Sequence, residues 1–484
     1  MGSGATESAT TVSTGTTEGG DTMGTGASTS DGSGTTGVVC DPTLTACGEA
    51  CVDLQTDPAH CGSCDAACGL VCAQGTCMDP RTWGTPEVID DADGTVLLPR
   101  IAMMPSSQAV VVWSQNEDQS TRLVRAARYD GTWTNDGAIS GPTGFDDKPE
   151  VAVNPDGDAL VAWHRTGGGP PTVWAAGFQG GSWTAEVRIS ADNEMSIVPR
   201  VAIGPDGNGI AVWQQIDRFI LRRYVASTMS WESEEMPGGM NTGDVRVEIA
   251  ADGAAIVAWI EADNNIPSAW SCRYVQGSGC DQASPIESSN WTILALELAV
   301  NPAGDAVAVW QAGTNNANDG VFASVYDVDA GTWSASSDAL DSSSKQAFSP
   351  RVAMDAAGNA VAVWIQTEGG GQSIWANRYV SGQGWEGVET LEDSSETAQE
   401  ARVAMDAAGN AVAVWVQADG NAPSLWANRY VVGLGWTGPE RVETMDGNVL
   451  EPDVAMGGDG VAIAVWKHET AMTLDADIYA SVLQ

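Results

Sequence analysis

Charged side chains recur at one fixed position in this chain, thirteen residues before each of eight regularly spaced tryptophans. These positions hold five arginines and three acids, namely Arg100, Glu150, Arg200, Arg246, Glu297, Arg351, Arg402 and Asp453. Guanidinium and carboxylate groups at equivalent positions of a repeat can pair with one another in a structural ion-pair network, or they can bind an anion or a sugar acid. We expect the network, with the anion or sugar-acid site as the alternative.

The tryptophans that define this spacing belong to an internal repeat. They are Trp113, Trp163, Trp213, Trp259, Trp310, Trp364, Trp415 and Trp466, separated by 46 to 54 residues. Two copies are nearly identical, "VAMDAAGNAVAVWIQ" from Val352 and "VAMDAAGNAVAVWVQ" from Val403. A period of this size indicates a solenoid or a propeller.

Each unit reads as four short strands. Residues 351 to 392 contain four runs rich in Val, Trp, Tyr and Thr, separated by Gly, Asn and Asp. Gly lies six residues before the central Trp in seven units and Ser107 takes its place in the eighth, so the position suits the positive φ of a tight hairpin. Four antiparallel strands repeated eight times predict an all-β fold, an eight-bladed β-propeller over residues 81–484.

The two ends of this region are complementary. "RTWGTPEVID" from Arg81 matches the fourth strand of a unit, and "DIYASVLQ" from Asp477 matches the third. We expect these segments to pair and to complete the last blade. We also expect the innermost strand of each blade to begin at the charged position, which would place the ring of charges at one mouth of the channel.

Departures from the repeat are candidate sites. Two residues after the charged position, seven units have Ala and one has Glu248, which we expect to pair with Arg246 on the same strand face. Nineteen tryptophans occupy repeat positions and are predicted core, whereas Trp291 is either a loop anchor or a ligand contact. The candidate ligand-binding residues are Arg100, Arg200, Arg246, Glu248, Trp291, Arg351 and Arg402.

The loops on the face of the ring suit a polar ligand. The loops after the second strand, such as "TEGGGQ" from Thr367, should reach the same face as the loops before the charged positions. Their Gly, Gln and acidic residues favour a neutral or amino sugar. Loops between the blades add acids to this face: Asp146, Asp147, Asp192, Glu396 and Glu400.

The sequence predicts no catalytic set, metal site or cofactor, and therefore no enzyme. It has three His, and its seven Tyr all fall at repeat positions, which counts against a sialidase-like propeller with a single Tyr nucleophile. "NPDGDA" from Asn154 reads as a turn, with calcium as the alternative. A carboxylate-based glycosidase or lyase remains an alternative function.

The first 80 residues are of a different kind. Residues 1–39 consist almost entirely of Gly, Ser, Thr and acids and predict a disordered tether. Residues 40–80 predict a small disulfide-rich module and an oxidising compartment, with zinc at "CGSC" as the alternative. The predicted disulfide cysteines are Cys40, Cys47, Cys51, Cys61, Cys64, Cys68, Cys72 and Cys77 here, and Cys272 with Cys280 across a hairpin of the repeat.

The segment "CGEACVDLQTDPAHCGSCDAAC" from Cys47 resembles the cysteine-rich segment of myxobacterial surface lipoproteins, where it follows a Ser/Thr/Gly-rich tether and precedes a β-propeller or another exported domain. The resemblance covers about 40 residues and implies an extracellular or outer-membrane surface protein with a lipid anchor. "MGSGATESAT" at the start contains no signal segment and no lipobox cysteine, so we expect a leader that is missing from this chain.

The charge balance limits the partners. Residues 1–80 contain ten of the 64 acids and none of the 21 Lys and Arg, which leaves the remainder with a net charge of −33. This charge excludes nucleic acid as a partner, and no apolar run is long enough to span a bilayer. The predicted function is a monomeric surface protein that binds a glycan or another surface protein, with a purely structural surface protein as a further alternative.

Overall fold

The computed structural model describes two compact units of the chain. They are Met1–Cys68 with Cys72–Thr76, and Gly69–Val71 with Cys77–Gln484. The described residues are 40, 43–47, 50–65, 71–73, 76–78, 81–90, 94–191, 193–238, 242–263, 266–287, 291–313, 319–334, 338–341, 345–368, 370–420, 422–470 and 476–484. The tether predicted over residues 1–39 lies outside them.

The smaller unit is held by disulfide bonds. The short elements of the cysteine-rich region are the strands Thr45–Cys47, Ala50–Val52, Val71–Ala73 and Thr76–Met78 and the 3-10 helix Pro58–His60, of which Val71, Cys77 and Met78 belong to the larger unit. Three disulfides of this region are Cys40–Cys51, Cys47–Cys64 and Cys61–Cys72. The side chains of Cys68 and Cys77 lie outside the description. These bonds confirm the predicted disulfide-rich module and indicate an oxidising environment.

The larger unit repeats a meander of four strands, which we number units 1 to 8 in chain order. The first strands are Val96–Met103, Phe145–Val153, Ser196–Ile203, Thr242–Ile249, Thr292–Val300, Ala347–Met354, Ala398–Met405 and Asn448–Met456. The second strands are Ala109–Asn116, Ala159–Thr166, Gly209–Gln215, Ala255–Asp263, Ala306–Gly313, Ala360–Glu368, Ala411–Asp419 and Ala462–Glu469. The third strands are Arg122–Tyr129, Thr172–Gln179, Arg218–Val225, Ile266–Val275, Asp319–Asp327, Gly371–Val380, Ala422–Val431 and Ala476–Leu483.

The fourth strands are mostly short. They are Trp133–Ala138, Ser182–Trp183, Ser230–Trp231, Gly279–Cys280, Thr332–Trp333, Gly384–Thr390, Gly435–Trp436 and, for unit 8, Glu87–Val88. Further two-residue strands pair with the third strands of units 2, 4, 5 and 7: Val187–Arg188, Ser284–Pro285, Asp338–Ala339 and Glu440–Arg441. Units 3 to 8 form sheets of four or five strands, and a parallel bridge between Phe145 and Arg122 joins units 1 and 2 into one nine-stranded sheet.

The hairpin between the first and second strands is set by backbone conformation. Gly358 has φ +85° and Gly409 has φ +93°, as the sequence predicts for this turn. Ser107, at the equivalent position of unit 1, also has positive φ, at 63°. The turn therefore imposes the left-handed conformation even where the chain lacks glycine.

The core of each sheet is built on aromatic residues. The central tryptophans of all eight units are at most 1% exposed, which confirms their prediction as core. At the outer edge, the last Tyr of a third strand packs on the Trp of the fourth, as in the pair Tyr379–Trp385 with ring centroids 5.5 Å apart. In unit 4, Cys280 faces Tyr274 in place of that Trp and forms the predicted disulfide with Cys272.

The two ends of the larger unit meet in one sheet. Val88 pairs with Tyr479, and Trp83 forms a bridge with Leu483, which confirms the pairing predicted for these segments. Ile89 donates its backbone N–H to Ile478 over 2.9 Å, and its side chain is buried. The N-terminal segment therefore provides the fourth strand of unit 8.

The first strands contact one another in cyclic order, from unit 1 through unit 8 and back to unit 1. We call the space that they surround the central channel. In the described part of the chain, hydrogen bonding closes no sheet on itself, so the cyclic order depends on packing between sheets.

Candidate functional site

The eight charged residues lie together on the first strands, as the repeat predicts. Their signs follow a regular order around the channel: each acid lies between two arginines. Glu150 is placed between Arg100 and Arg200, Glu297 between Arg246 and Arg351, and Asp453 between Arg402 and Arg100. The side chains are 13 to 30% exposed, so water reaches them from the channel.

The tightest cluster surrounds Glu297. Arg246 binds this carboxylate through Nε and Nη2 at 2.9 and 3.0 Å, and Arg351 donates Nη1 at 2.8 Å. Burial acts to raise the pKa of Glu297, but the two guanidinium groups outweigh it and hold the pKa well below its usual range. Arg246 also binds Asp244. These contacts are the ion-pair network that the sequence predicts.

The pairing around the other two acids is looser. Arg200 donates Nη1 to Glu150 at 2.8 Å, whereas Nε of Arg100 is 3.7 Å from the same carboxylate. Nε of Arg402 is 3.9 Å from Asp453, beyond hydrogen-bond distance. Arg100 and Arg402 therefore have guanidinium N–H groups that do not donate to the ring carboxylate beside them.

Each ring arginine is oriented by its own backbone. Nη1 donates to the carbonyl oxygen of the preceding residue, at 2.8 Å in Arg100, 2.8 Å in Arg351 and 2.9 Å in Arg402. The same contact occurs in Arg200 and Arg246. This local hydrogen bond reduces the number of rotamers available to the guanidinium, so its remaining donors point in a defined direction.

The ring does not lie where the sequence places it. The first strands begin four or five residues before the charged positions, so the ring is in the middle of these strands and not at the mouth. A β-bulge precedes the charged residue in every unit. In six units the residue two positions before the charge has positive φ: Leu98, Lys148, Val198, Ser349, Glu400 and Glu451. None is glycine, but Pro follows this residue in five of the six units, which is a signal for a bulge that the sequence analysis did not use.

Two bulge residues link neighbouring units. The Glu400 carboxylate accepts the backbone N–H of Glu451 at 2.7 Å, and the Glu451 carboxylate accepts that of Leu98 at 2.6 Å. Bulges expose such N–H groups because the extra residue leaves the ladder. These hydrogen bonds join units 7, 8 and 1 just above the ring.

A pocket of about 500 Å³ opens at this place. Its polar lining includes Arg100, Arg351, Arg402, Gln372 and Gln399, together with the bulge residues Ser349, Glu400 and Glu451; the bulge residue Leu98 also lines it. Phe348, Ile365 and Ala401 complete it with apolar surface. The mixture of guanidinium and amide donors, carboxylate acceptors and an apolar side suits a ligand rich in hydroxyl groups.

The pocket lies at the face that the loops share. The end of a second strand, from which this loop starts, bonds to the residue before the first strand of the same unit: Thr367 donates its N–H to Gln346 over 2.9 Å, and Asn116 to Thr95 over 3.0 Å. This contact confirms that both kinds of loop reach one face. Sequence analysis included Gln372, as the Gln of "TEGGGQ", among the loop residues that suit a polar ligand. It missed Phe348 and Gln399, because nothing in the repeat distinguishes their positions.

Glu248 lies in the channel without the expected partner. Arg246 is occupied by Glu297 and Asp244, and Glu248 makes no hydrogen bond or ion pair with the described residues, so the predicted pairing is wrong. Its side chain is exposed to the channel. Desolvation by the surrounding protein, followed by the charge of Glu297, raises the pKa of Glu248 to about 7. The group is therefore partly protonated near neutral pH.

The remaining candidate, Trp291, and the described acids among those predicted in the loops do not line this pocket, apart from Glu400. Trp291 packs on Phe322 with ring centroids 4.6 Å apart and is not among the residues that line the pocket, which is the geometry of a loop anchor. Asp146 is fully buried and binds Arg165 through two hydrogen bonds, and Asp147 binds Arg122. Asp192 lies outside the described residues.

The described residues show neither a metal cluster nor a membrane-spanning helix. Among the described residues, no group of three or more His, Cys, Asp or Glu is arranged to hold a metal ion. Within the same part of the chain, no helix has the length and apolar character needed to cross a membrane.

Comparison with known proteins shows the fold. No protein-family profile and no curated protein sequence matches the chain. The structure of the Dos1 propeller is similar, with a TM-score of 0.52 at 8% identity over 83% of this chain and 95% of that one. An ulvan lyase of a polysaccharide lyase family gives 0.47 at 11% identity, covering 80% and 94%, and the propeller domain of the trilobed protease from Pyrococcus furiosus gives 0.42 at 9%, covering 73% and 99%. The larger unit is a β-propeller.

Proposed function

We propose that this chain is an exported surface protein whose eight units form one closed eight-bladed propeller and whose ligand binds in the pocket above the charged ring. The cyclic contacts of the first strands and the pairing of Val88 with Tyr479 support the eight-bladed ring. The disulfides support export, and the lipid anchor is part of the proposal because the resemblance of the cysteine-rich segment implies it.

One observation carries the binding function: the pocket of about 500 Å³ lies where the bulges interrupt the first strands and turn side chains of units 6, 7, 8 and 1 into one cavity. Bulges are frequent next to functional sites because they re-aim side chains. The cavity has the volume of a small-molecule site, and its amide and carboxylate groups suit carbohydrate hydroxyls. The proposed ligand is therefore a glycan.

A glycan-array measurement on the full chain tests this function. Gln399 is exposed at the pocket, so Gln399→Trp should fill the cavity without disturbing the core and should reduce glycan binding by about tenfold or more. Gln383→Trp is the matched control, because Gln383 is exposed in the turn at the opposite end of unit 6. Absence of any glycan ligand, or equal binding by both variants, would refute the pocket as the site.

A further inference from the structure

The order of charges around the channel leaves two places where arginine neighbours arginine. Because every acid lies between two arginines, Arg200 is followed directly by Arg246, and Arg351 is followed directly by Arg402. Like charges on adjacent strands repel one another unless an acid or a bound anion lies between them. The two junctions are therefore the places in the ring where an anion would stabilise the protein most.

The first junction is already compensated by the protein. Asp244 occupies the bulge position of unit 4 and binds Nη1 of Arg246, whose Nε and Nη2 hold Glu297. Arg200 in turn donates to Glu150 at 2.8 Å. Every guanidinium at this junction has a carboxylate within hydrogen-bond distance.

The second junction lacks such a carboxylate at Arg402, whereas Arg351 donates Nη1 to Glu297 at 2.8 Å. The bulge position of unit 6 holds Ser349, and in unit 7 the Glu400 carboxylate is taken by the N–H of Glu451. Arg402 has Asp453 only at 3.9 Å, and its other contact is the carbonyl of Ala401. Desolvation, followed by the charge of Arg351, lowers the pKa of Arg402 to about 10.

The pocket lies at this second junction. Arg351 and Arg402 both line it, with Arg100 as a third guanidinium. Their Nη1 groups are fixed on backbone carbonyls, so the donors that face the cavity are oriented before any ligand arrives. A planar fork of this kind matches the two oxygens of a carboxylate.

We infer that the Arg351–Arg402 junction seats the carboxylate of a uronic acid, so that the ligand is an acidic sugar and not a neutral or amino sugar. This inference rests on the proposed glycan-binding function of the pocket. The uronic acid replaces the neutral or amino sugar that the composition of the loops favours, because the loops give no information about the uncompensated positive charge in the ring. Arg351 and Arg402 are ligand-binding residues in this assignment.

The surroundings favour a single carboxylate over a polyanion. Glu400 and Glu451 are in the wall of the same pocket, and they would repel a second negative charge on the ligand. The chain as a whole carries a net charge of −43, which disfavours densely charged polymers. An isolated uronic acid within an otherwise neutral glycan fits both constraints.

The test compares matched sugars on the full chain by NMR titration. Methyl glucuronide and methyl galacturonide should bind about tenfold or more tightly than the corresponding methyl glucoside and galactoside, because a charge-assisted contact is lost in the neutral sugars. The preference should weaken as salt is raised. Arg402→Gln should abolish it, whereas Arg200→Gln, at the compensated junction, should retain it.

The outcomes separate this inference from the proposed function. Equal affinity for acidic and neutral sugars, or a preference that survives Arg402→Gln, overturns the uronic-acid seat and leaves glycan binding in place. Acetate binding as tight as the uronides overturns the sugar part and assigns a general anion site. If no sugar binds in the titration and no glycan binds on the array, both the uronic-acid seat and the proposed glycan-binding function are refuted. If a variant does not fold, the comparison of acidic and neutral sugars on the unaltered protein still tests the uronic-acid seat.

Discussion

Removal of the Glu297 carboxylate is the sharpest test of the ion-pair network. Glu297→Gln keeps the size of the side chain but removes its charge and replaces one accepting oxygen with a donating NH2 group. Arg246 and Arg351 then lose the three contacts of 2.8 to 3.0 Å that they make with this carboxylate. Asp244 still compensates Arg246, whereas Arg351 keeps only the carbonyl of Pro350.

The expected loss of stability follows from burial. Breaking a buried ion pair by removing one partner costs about 3 to 5 kcal/mol, and an exposed pair contributes about 0 to 1 kcal/mol. The side chains here are 13, 19 and 30% exposed, closer to the buried case but in contact with channel water. We therefore expect Glu297→Gln to lower the free energy of unfolding by about 2 to 3 kcal/mol at neutral pH.

The pH dependence gives a second signature. The pKa of Glu297 is lowered from 4.5 in the folded protein, so its stabilisation is complete above the unfolded pKa and declines as the pH falls towards the folded pKa. The advantage of the unaltered protein over Glu297→Gln should therefore be constant above about pH 5 and shrink below about pH 4.5.

Urea unfolding followed by tryptophan fluorescence measures this difference. Glu386→Gln is the control, because Glu386 also pairs with an arginine, Arg378, but is 54% exposed, and its loss should cost less than about 0.5 kcal/mol. Equal and small effects of the two substitutions would refute the view that the ring stabilises the fold. So would a difference between the two proteins that does not depend on pH.

Three further predictions concern other parts of the larger unit. The pKa of Glu248 is raised from 4.5 to about 7, so its ionisation destabilises the fold as the pH rises through this window. Glu248→Ala should therefore raise the free energy of unfolding at pH 8 by about 1 kcal/mol after solvent screening and leave it unchanged at pH 4. Thermal melts at the two pH values measure this difference. Deletion of residues 81–90 should lower the melting temperature by several degrees, because it removes the fourth strand of unit 8; an unchanged melt would contradict closure of the ring. Replacing Cys272 and Cys280 with Ser should cost about 2.6 kcal/mol in urea unfolding, and reduction of the unaltered protein should reproduce that loss.

The charged ring shows how far a repeat can be interpreted. Its eight members and their mutual pairing could be predicted because a residue at the same position of each unit lies at the same height around the channel. The pairing of Glu248 with Arg246 was wrong because strand alternation places both on one face but does not show that Glu297, from the next unit, is nearer. Which of two carboxylates binds a given arginine depends on the neighbouring unit, and the sequence of a single unit does not show it.

The sequence by itself determined the meander, the hairpin turns, the tryptophan core and the Cys272–Cys280 bond, because each depends on periodicity and side-chain size within one unit. Only the tertiary structure decided where the charges lie along the strands, since it shows that the first strands begin four or five residues before them and that bulges with positive φ at residues such as Leu98 and Ser349 interrupt these strands. It also decided which arginines lack a carboxylate. Arg351 and Arg402 are 51 residues apart, and the uncompensated charge of Arg402 beside Arg351 arises only when the fold places their strands side by side.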